Sequence, residues 1–511
     1  MTQKEEKNKI LKEYLFLHDK YFKSTGKSSL PREVYRLETK TPENKVRFYF
    51  GGYKGLRREA IKKLNFQTRE EAEINERLSN RNGKRFIVSA VVEGAPINED
   101  FLKAMELYAK KNNARLLLFW MKGVYRQDHF VQEEIAKLES YLITGFKFNN
   151  NLEARDFLIH PAQMLPLTGL DRFGSKKTSL IVASTKQMMT SIPRPKSDVA
   201  HVIWTTGTIS VPKYSKTRTG ELARQDNTLG ALVVEIESDD IFYIRNVEWI
   251  NDCFVDLGTA YYKDKVKKMS TEAMVWGDLH LTEEDNIAVK LSIDQTNLLK
   301  AKKILIHDLI SFNSISHHME GHFLDKTFIP HEFNTLKKEL NYTKTFLNNL
   351  IKKIKSNIIV VASNHDIFLK RYADEGRFLH DAHNAVLGAE CFIDYTKGLN
   401  PIEKFINRPE IKFLKQDESY IISGVETGQH GHNGSSGSKG SPMQFRKSYD
   451  RIVLGHSHQP KILNNVFYVG TLSKLNLPYM KGASAWLHAN CAIYSNSSRQ
   501  LILWVGNKWK I

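Results

Sequence analysis

Cysteine is scarce in this 511-residue chain, and long apolar runs are absent. The three cysteines, Cys253, Cys391 and Cys491, are odd in number and far apart, which argues against a disulfide framework and a thiolate zinc site. No stretch approaches the roughly 18 apolar residues that a membrane span requires. The first ten residues, MTQKEEKNKI, contain no apolar signal segment. The sequence therefore predicts a soluble, cytoplasmic protein without a membrane span.

Acidic residues are also in deficit. The chain has 75 Lys and Arg against 57 Asp and Glu, which gives a net charge of +18 at pH 7. A surplus of this size attracts polyanions, although many basic proteins are merely soluble. Nucleic acid is therefore the first candidate partner, and motifs must support it.

Length and local pattern together predict three domains. A chain of 511 residues exceeds what one hydrophobic core organises. Residues 1–83 show helical periodicity and many basic residues, whereas residues 84–270 show short apolar runs between helical stretches. We expect a small helical domain, a mixed α/β accessory domain and, over residues 271–511, an α/β domain that carries the chemistry. A Gly/Ser stretch at 434–441 is expected to be a flexible loop.

Residues 45–63 mix cations with aromatic side chains, a combination that suits the backbone and bases of nucleic acid. The segment resembles the small helical DNA-binding repeats that accompany homing endonucleases. That resemblance implies a DNA-contacting set made of Arg47, Tyr53, Lys54, Arg57 and Arg58. The alternative is an ordinary basic helical bundle whose aromatic residues form its core.

Beyond residue 270, five apolar runs each end in a cluster of Asp, Asn or His. The clusters contain Asp278 and His280; His307 and Asp308; Asn364, His365 and Asp366; His430 and His432; and His456 and His458. Apolar runs of this length predict buried strands, and side chains that follow such strands meet at one edge of a sheet. A single histidine after a strand is more often structural than a ligand, but five clusters in order predict one site.

The predicted ligands are carboxylate, amide oxygen and imidazole, without a thiolate. Such a set suits manganese, iron or zinc held close to water and phosphate oxygens. Two of these ions together can clamp both sides of a phosphoryl displacement. The pattern therefore favours hydrolysis at phosphorus.

The order Asp-x-His, Asp, Asn-His-Asp, His and Gly-His-x-His resembles the calcineurin-like metallophosphoesterase superfamily over residues 271–480. The resemblance implies a two-layered β-sandwich flanked by helices, with two divalent ions, manganese first and magnesium, iron or zinc as alternatives. One ion would be held by Asp278, His280 and His458, the other by Asn364, His430 and His456, with Asp308 bridging the two.

The same resemblance gives His365 the work on the substrate. It would protonate the leaving oxygen or stabilise charge at phosphorus, with Asp366 orienting it. Three positions depart from the superfamily pattern, namely His307, Ser311 and Ser363. These departures put the local geometry and the hydrogen bonding around the ligands in doubt.

Three further histidines have open roles. His432 is an alternative to His430 as the ligand of the fourth motif, because both follow the same run. His317 and His318 are close in sequence to Asp308 and are candidates for lining the substrate cleft. The alternative is that one of them packs and the other lies in solvent.

The superfamily acts on many phosphoesters, so the rest of the chain must indicate the substrate. The basic charge, the N-terminal segment and the two preceding domains favour DNA, because phosphate contacts add along a polymer. Within the superfamily the chain resembles the host-DNA-degrading first-step-transfer proteins of T-odd coliphages and, more distantly, the nuclease subunit of the double-strand-break repair complex. This implies a manganese-dependent DNase, made by a phage in the host cytoplasm, that forms homo-oligomers beside other phage or host proteins.

Two other functions stay open. A phosphatase or cyclic-nucleotide phosphodiesterase would turn over small phosphoesters regardless of polymer length. A non-catalytic nucleic-acid-binding protein with a vestigial metal centre would bind DNA in a salt-sensitive way without cleaving it.

Overall fold

The structure is a computed structural model, and it describes residues 3–25, 30–57, 59–60, 84–122, 138–174, 178–319, 326–327, 329–477 and 480–511. Arg58, one of the predicted DNA-contacting residues, lies outside these residues. The described chain forms two compact units. The first contains the described residues up to 60 together with 138–146, and the second contains those of 84–122 and 147–511.

The first unit is built around helices. Its elements are the helices Gln3–Thr25, Arg32–Glu38 and Glu43–Phe50, the 3-10 turn Glu139–Tyr141 and the short strand Leu142–Ile143. The strand Gly145–Lys147 begins in this unit and ends in the second. Pro31 and Pro42 each precede a helix, and Gly51 ends the third helix with a left-handed φ of 67°. The core consists of Ile10, Leu11, Tyr14, Leu17, Leu30, Tyr35, Val46, Phe50, Leu56 and Ala60.

The predicted DNA-contacting set of this unit divides between core and surface. Tyr53 packs with Tyr14 and Tyr35, whose ring centroids are 5.9 and 5.5 Å from its own. The exposed members of the set are Arg47, Lys54 and Arg57. Tyr53 is thus half-buried and packs against the core, while DNA contact by the exposed cations stays a prediction.

Two large sheets form the frame of the second unit. In hydrogen-bonded order, the first sheet contains Ile411–Phe413, Asn357–Val360, Lys303–Ile306, Thr271–Val275, His488–Tyr494, Arg499–Trp504, Phe242–Glu248, Gly230–Ile236, Arg85–Val92 and Arg115–Met121. The second contains Ile421–Ile422, Val425–Glu426, Ile452–Leu454, Val466–Tyr468, Lys461–Leu463, Met188–Ile192, His201–Thr205, Ser179–Val182 and Leu152–Arg155. A smaller sheet contains Phe254–Asp256, Thr259–Tyr261 and Val266–Lys268.

Helices pack against these sheets. They are Glu99–Asn112, Asp171–Gly174, Arg218–Gln225, Asn286–Leu299, Leu336–Lys353, Asp366–Asp374, Ala385–Thr396, Pro401–Ile406 and Pro442–Ser448, with 3-10 turns at Asn313–Ile315, His317–Met319, His331–Phe333, Arg377–His380 and Ser435–Gly437. Asn98, Asp285 and Thr335 each cap a helix by accepting from an amide of its first turn. Among the described residues, no helix is both long and apolar enough to cross a bilayer.

The two large sheets are in direct contact. The side-chain amide of Gln187, just before a strand of the second sheet, donates to the carbonyl of Ala231 in the first sheet at 3.1 Å. Arg499 in the first sheet lies over the ring of Phe467 in the second, 4.1 Å from its centroid. On the other side of the first sheet, apolar residues of helices Asn286–Leu299 and Leu336–Lys353 join the parallel strands in one core cluster. The mixed α/β architecture predicted from the sequence is confirmed.

Strands from both sides of residue 270 belong to the same sheets. Phe242–Glu248 pairs with Arg499–Trp504 in an antiparallel arrangement. In the same region, fully buried Arg245 donates to Asp256 and to Glu235, each at 2.9 Å. Residues 84–270 therefore do not fold apart from residues 271–511 in the described chain, because their strands complete the sheets of the later segment.

Candidate metal centre

The side chains predicted as ligands meet at one edge of the second unit. Three parallel strands of the first sheet end there, and the segments after them carry Asp278, Asp308 and Asn364. The second sheet contributes His430, His456 and His458 from loops that follow its strands. Parallel strands place the residues after them along one edge, which is why motifs far apart in sequence converge.

The first group contains Asp278, His280, Asp308 and His458, whose ligand atoms all lie within 4.8 Å of one another. The Nε2 atoms of His280 and His458 are 2.9 Å apart. His280 Nε2 is 3.3 Å from Asp308 Oδ2, and His458 Nε2 is 3.3 Å from Asp278 Oδ2. Two carboxylates and two imidazoles at this spacing could hold a metal ion.

The second group surrounds the amide of Asn364. Its Oδ1 is 2.8 Å from His430 Nε2 and 3.0 Å from His456 Nδ1. His430 Nε2 is also 3.3 Å from Asp308 Oδ2, so the Asp308 carboxylate lies between the two groups. The structure thus brings the predicted ligands of both ions together, and their binding of metal stays a prediction.

Four of the candidate ligands have strained backbone. His280, Asp308, His456 and His458 have left-handed φ values of 49°, 44°, 70° and 55°. Residues with a side chain rarely adopt such values, which cost on the order of 1–3 kcal/mol each when imposed by the surroundings. Strain held at four ligands of one centre indicates that the fold is arranged to position them.

The two buried carboxylates fit a cation. Neither oxygen of Asp278 or Asp308 has a well-formed hydrogen bond among the described residues. Burial, followed by repulsion from Asp308, raises the pKa of Asp278 well above its usual range. Burial also opposes ionisation of Asp308, but the imidazoles of His430 and His280 hold its pKa well below the usual range. A divalent ion would neutralise both carboxylates and bind the neutral imidazoles around them.

His365 lies beside the first group, with its ring centroid 4.6 Å from that of His280. Its Nδ1 is 2.9 Å from the carbonyl oxygen of Ser311 and therefore carries the hydrogen. The Asp366 carboxylate instead accepts from the backbone amide of Ser363 at 2.8 Å. The sequence predicts that Asp366 orients His365, whereas the structure gives this contact to the Ser311 carbonyl. The reason is that Asp366 begins a helix and its side chain turns back to the loop before it.

His307 belongs to the second of the five predicted clusters, but the sequence pattern gives it no role beyond a departure from glycine. Its buried ring lies with Nδ1 3.3 Å from Nδ1 of His430, and together with Asp278 and His430 it forms a further group of possible ligand atoms within 4.8 Å. Burial lowers the pKa of His307 to about 3, so the ring is neutral at ordinary pH. The sequence feature that could have identified His307 as part of the centre is its position directly before Asp308.

The remaining candidate histidines lie around the centre. His432 Nε2 is 3.2 Å from Nε2 of Gln416, so His430 rather than His432 faces Asp308. His317 and His318 have ring centroids 3.9 Å apart, and both contact Phe368. The Phe368 ring lies in turn against His365, with centroids 4.7 Å apart. These aromatic rings extend the site on the side of His365, and their contact with a substrate stays a prediction.

A buried carboxylate supports the segment that carries Ser311. Glu339 accepts from the backbone amide of Asn313 at 3.0 Å and from the hydroxyl of Ser314. Burial raises the pKa of Glu339 to about 8. The protonated form is therefore favoured in the folded protein far above the ordinary pKa of about 4.3.

Glu339→Gln should reduce the pH dependence of stability. The folded pKa is raised, so the stability contributed by the protonated carboxyl is fully present below about pH 4 and is lost as the pH rises through about 8. Gln stays neutral, so between pH 5 and 9 the unmodified protein should lose on the order of a few kcal/mol more unfolding free energy than the variant. Urea denaturation across this range measures it, with exposed Glu390→Gln as the control. Parallel pH profiles for the protein and the Glu339 variant would contradict the assignment.

One comparison with known proteins gives a match. Over 462 residues the chain is 27% identical to Protein A1 of Escherichia phage T5, and the match covers 83% of this chain and 82% of the relative. No protein-family model matches the chain. No solved structure matches it. The similarity supports a phage relationship across most of the chain, and the buried Asp and His cluster adds a site that could hold metal.

Proposed function

We propose that this chain is a metal-dependent deoxyribonuclease, a phage protein that hydrolyses phosphodiester bonds of host DNA with two metal ions. The observation that carries the proposal is the group of imidazoles and one amide around two buried carboxylates, Asp278 and Asp308. Oxygen and nitrogen donors without thiolate favour manganese, with magnesium, iron or zinc as alternatives.

The two ions, when bound, would activate the attacking water and neutralise charge on the phosphoryl oxygens. The chain's own contribution beyond the ligands is His365. Because the Ser311 carbonyl accepts its Nδ1 hydrogen, Nε2 is the atom free to deliver a proton to the leaving oxygen.

DNA is the proposed substrate for two reasons. The net charge of +18 favours a long polyanion over a small phosphoester. Arg47, Lys54 and Arg57 of the first unit are exposed, and few acidic residues lie near them in the sequence. These cations support contact with the phosphate backbone of DNA. The phage relative supports the proposed setting, which is the cytoplasm of an infected bacterium.

Long double-stranded DNA, linear and closed circular, should be degraded by the purified protein in manganese and left intact in chelator. Asp308→Asn should lower the rate by about 100-fold or more, because the carboxylate shared by both ions loses its charge. Gel electrophoresis over time measures both, and attack on the closed circle identifies an endonuclease.

Asp294→Asn is the matched control, because Asp294 is an exposed carboxylate on helix Asn286–Leu299. It should cleave DNA at the rate of the unmodified protein. If the unmodified protein leaves DNA intact in every metal but hydrolyses bis(4-nitrophenyl) phosphate, the DNase proposal is rejected in favour of a small-ester phosphodiesterase.

His365→Asn should reduce DNA cleavage by about 10²–10⁴-fold while metal content and DNA affinity stay unchanged, because proton delivery is lost and the ligands are retained. The loss should be smaller with bis(4-nitrophenyl) phosphate, whose leaving group needs no proton. Initial rates on both substrates test this, with exposed His331→Asn as the control. Equal losses on the two substrates would show that His365 does not act as the acid.

A further inference from the structure

A cavity of about 280 Å³ adjoins the metal centre on the second sheet. It reaches the metal-ligand candidate His456 at one end, and its polar walls include Lys439, Ser457, Gln459 and Lys461. Typical pockets for drug-sized molecules measure about 300–1,000 Å³. The cavity is therefore small for an organic ligand and of a size that suits a compact polar group.

The walls of this cavity carry positive charge without a compensating acid. None of the described residues that line it is Asp or Glu. Lys461 has no ion pair with a carboxylate in the described part of the chain, and burial alone lowers its pKa. A cation removed from water in this way is stabilised by an anion that enters the cavity.

The register of the sheet aims Lys461 at the cavity. It pairs directly with Tyr468 in an antiparallel arrangement, so the two side chains lie on the same face. Tyr468 also lines the cavity and packs in a core cluster with Phe445 of helix Pro442–Ser448. The lysine is therefore held on a strand by paired and packed neighbours.

The Gly/Ser stretch 434–441 contributes Lys439 and Gly440 to the cavity wall. The amide of Gly434 donates to the carbonyl of Ser438 at 2.6 Å, and that of Gly440 donates to the carbonyl of His432 at 2.8 Å. A Cβ atom at Gly440 would lie 2.1 Å from the carbonyl oxygen of Gly431, so only glycine fits there. The sequence predicts a flexible loop, whereas these contacts give the stretch a defined shape that brings Lys439 to the cavity.

The other large cavity of the second unit does not share this character. It measures about 860 Å³ and is lined by Asp226, Glu248 and Asp450 as well as by arginines. Arg446 is already paired with Asp226. This cavity thus contains acidic side chains beside its cations, so it suits an anion less well than the cavity at Lys461 does.

We propose that the cavity between Lys461 and Lys439 binds a backbone phosphate of the DNA strand, one next to the phosphodiester that the metal centre hydrolyses. This rests on the proposed DNase function and adds a subsite to it. The cavity adjoins His456, so a strand whose scissile phosphate lies at the metals can place a neighbouring phosphate between the two lysines. Lys461 is a binding residue here and takes no part in bond cleavage.

The test compares a short double-stranded oligodeoxynucleotide with bis(4-nitrophenyl) phosphate, which has no neighbouring phosphate. With the manganese-loaded full chain, Lys461→Gln should raise KM for the oligonucleotide by about tenfold with kcat little changed. Its kinetics on the small diester should stay within about twofold. Lys461→Arg should restore most of the loss, because it keeps the charge, and exposed Lys352→Gln should have no effect on either substrate.

A neutral methylphosphonate provides the matched change on the substrate. Placed at the linkage next to the cleaved one, it should raise KM of the unmodified protein to a similar extent, and Lys461→Gln should add little further loss. Independent losses that add in full would overturn the proposal. An unchanged KM for the oligonucleotide with Lys461→Gln, or equal losses on both substrates, would overturn it as well.

Failure of the DNase proposal has a different signature. The unmodified protein would then turn over the small diester and leave the oligonucleotide intact, and the phosphate subsite would be rejected together with it. Cleavage of the oligonucleotide by the unmodified protein with no effect of Lys461→Gln rejects the subsite alone.

Discussion

Two like charges buried side by side set the central constraint of this protein. The carboxylates of Asp278 and Asp308 are fully buried and have no well-formed hydrogen bonds among the described residues. In a low-dielectric interior such a pair cannot remain doubly ionised without a positive partner. Without a metal ion, this repulsion appears as a raised pKa of Asp278 beside a lowered pKa of Asp308. A divalent ion between the imidazoles would resolve it, and the other features of the centre are consistent with that arrangement.

The scaffold holds the pair in place from two directions. Asp278 and Asp308 follow parallel strands of the first sheet, and His456 and His458 follow a strand of the second sheet. The approach is so close at Gly455 that a Cβ atom there would lie 2.2 Å from Asp278 Oδ1. Left-handed backbone at His456 and His458 accompanies rings that face the amide of Asn364 and the carboxylate of Asp278, respectively. Close packing of the two sheets is what keeps such strained residues in position.

The convergence of the candidate ligands could be predicted from the sequence because each follows an apolar run. That pattern places side chains at a strand end, and the structure brings Asp278, Asp308 and Asn364 to one edge as expected. The contact between His365 and the Ser311 carbonyl could not be predicted. Every residue has a backbone carbonyl, so residue identity does not indicate which one accepts a hydrogen bond. His307 belongs to the second cluster but receives no role from the sequence, because the superfamily pattern has glycine at its position.

The pairing of strands that are distant in sequence could not be predicted either. Residues 84–270 and 271–511 differ in motif content, which suggests two domains, yet Phe242–Glu248 pairs with Arg499–Trp504. Sheet partners separated by about 250 residues are not encoded in local periodicity. The composition of the Gly/Ser stretch likewise predicts a flexible loop. Its defined shape beside the metal-ligand candidates is visible only from its contacts around Gly440.

The most direct test of this account is the number of metal ions bound per chain. The protein is equilibrated with manganese, freed of excess metal by dialysis and analysed by plasma mass spectrometry, beside an Asp308→Asn sample. The account predicts two ions per chain in the unmodified protein and a large loss from both positions in the variant, because Asp308 lies between the two groups. Manganese binding that is absent from the unmodified protein, or that is the same in the variant, would contradict it.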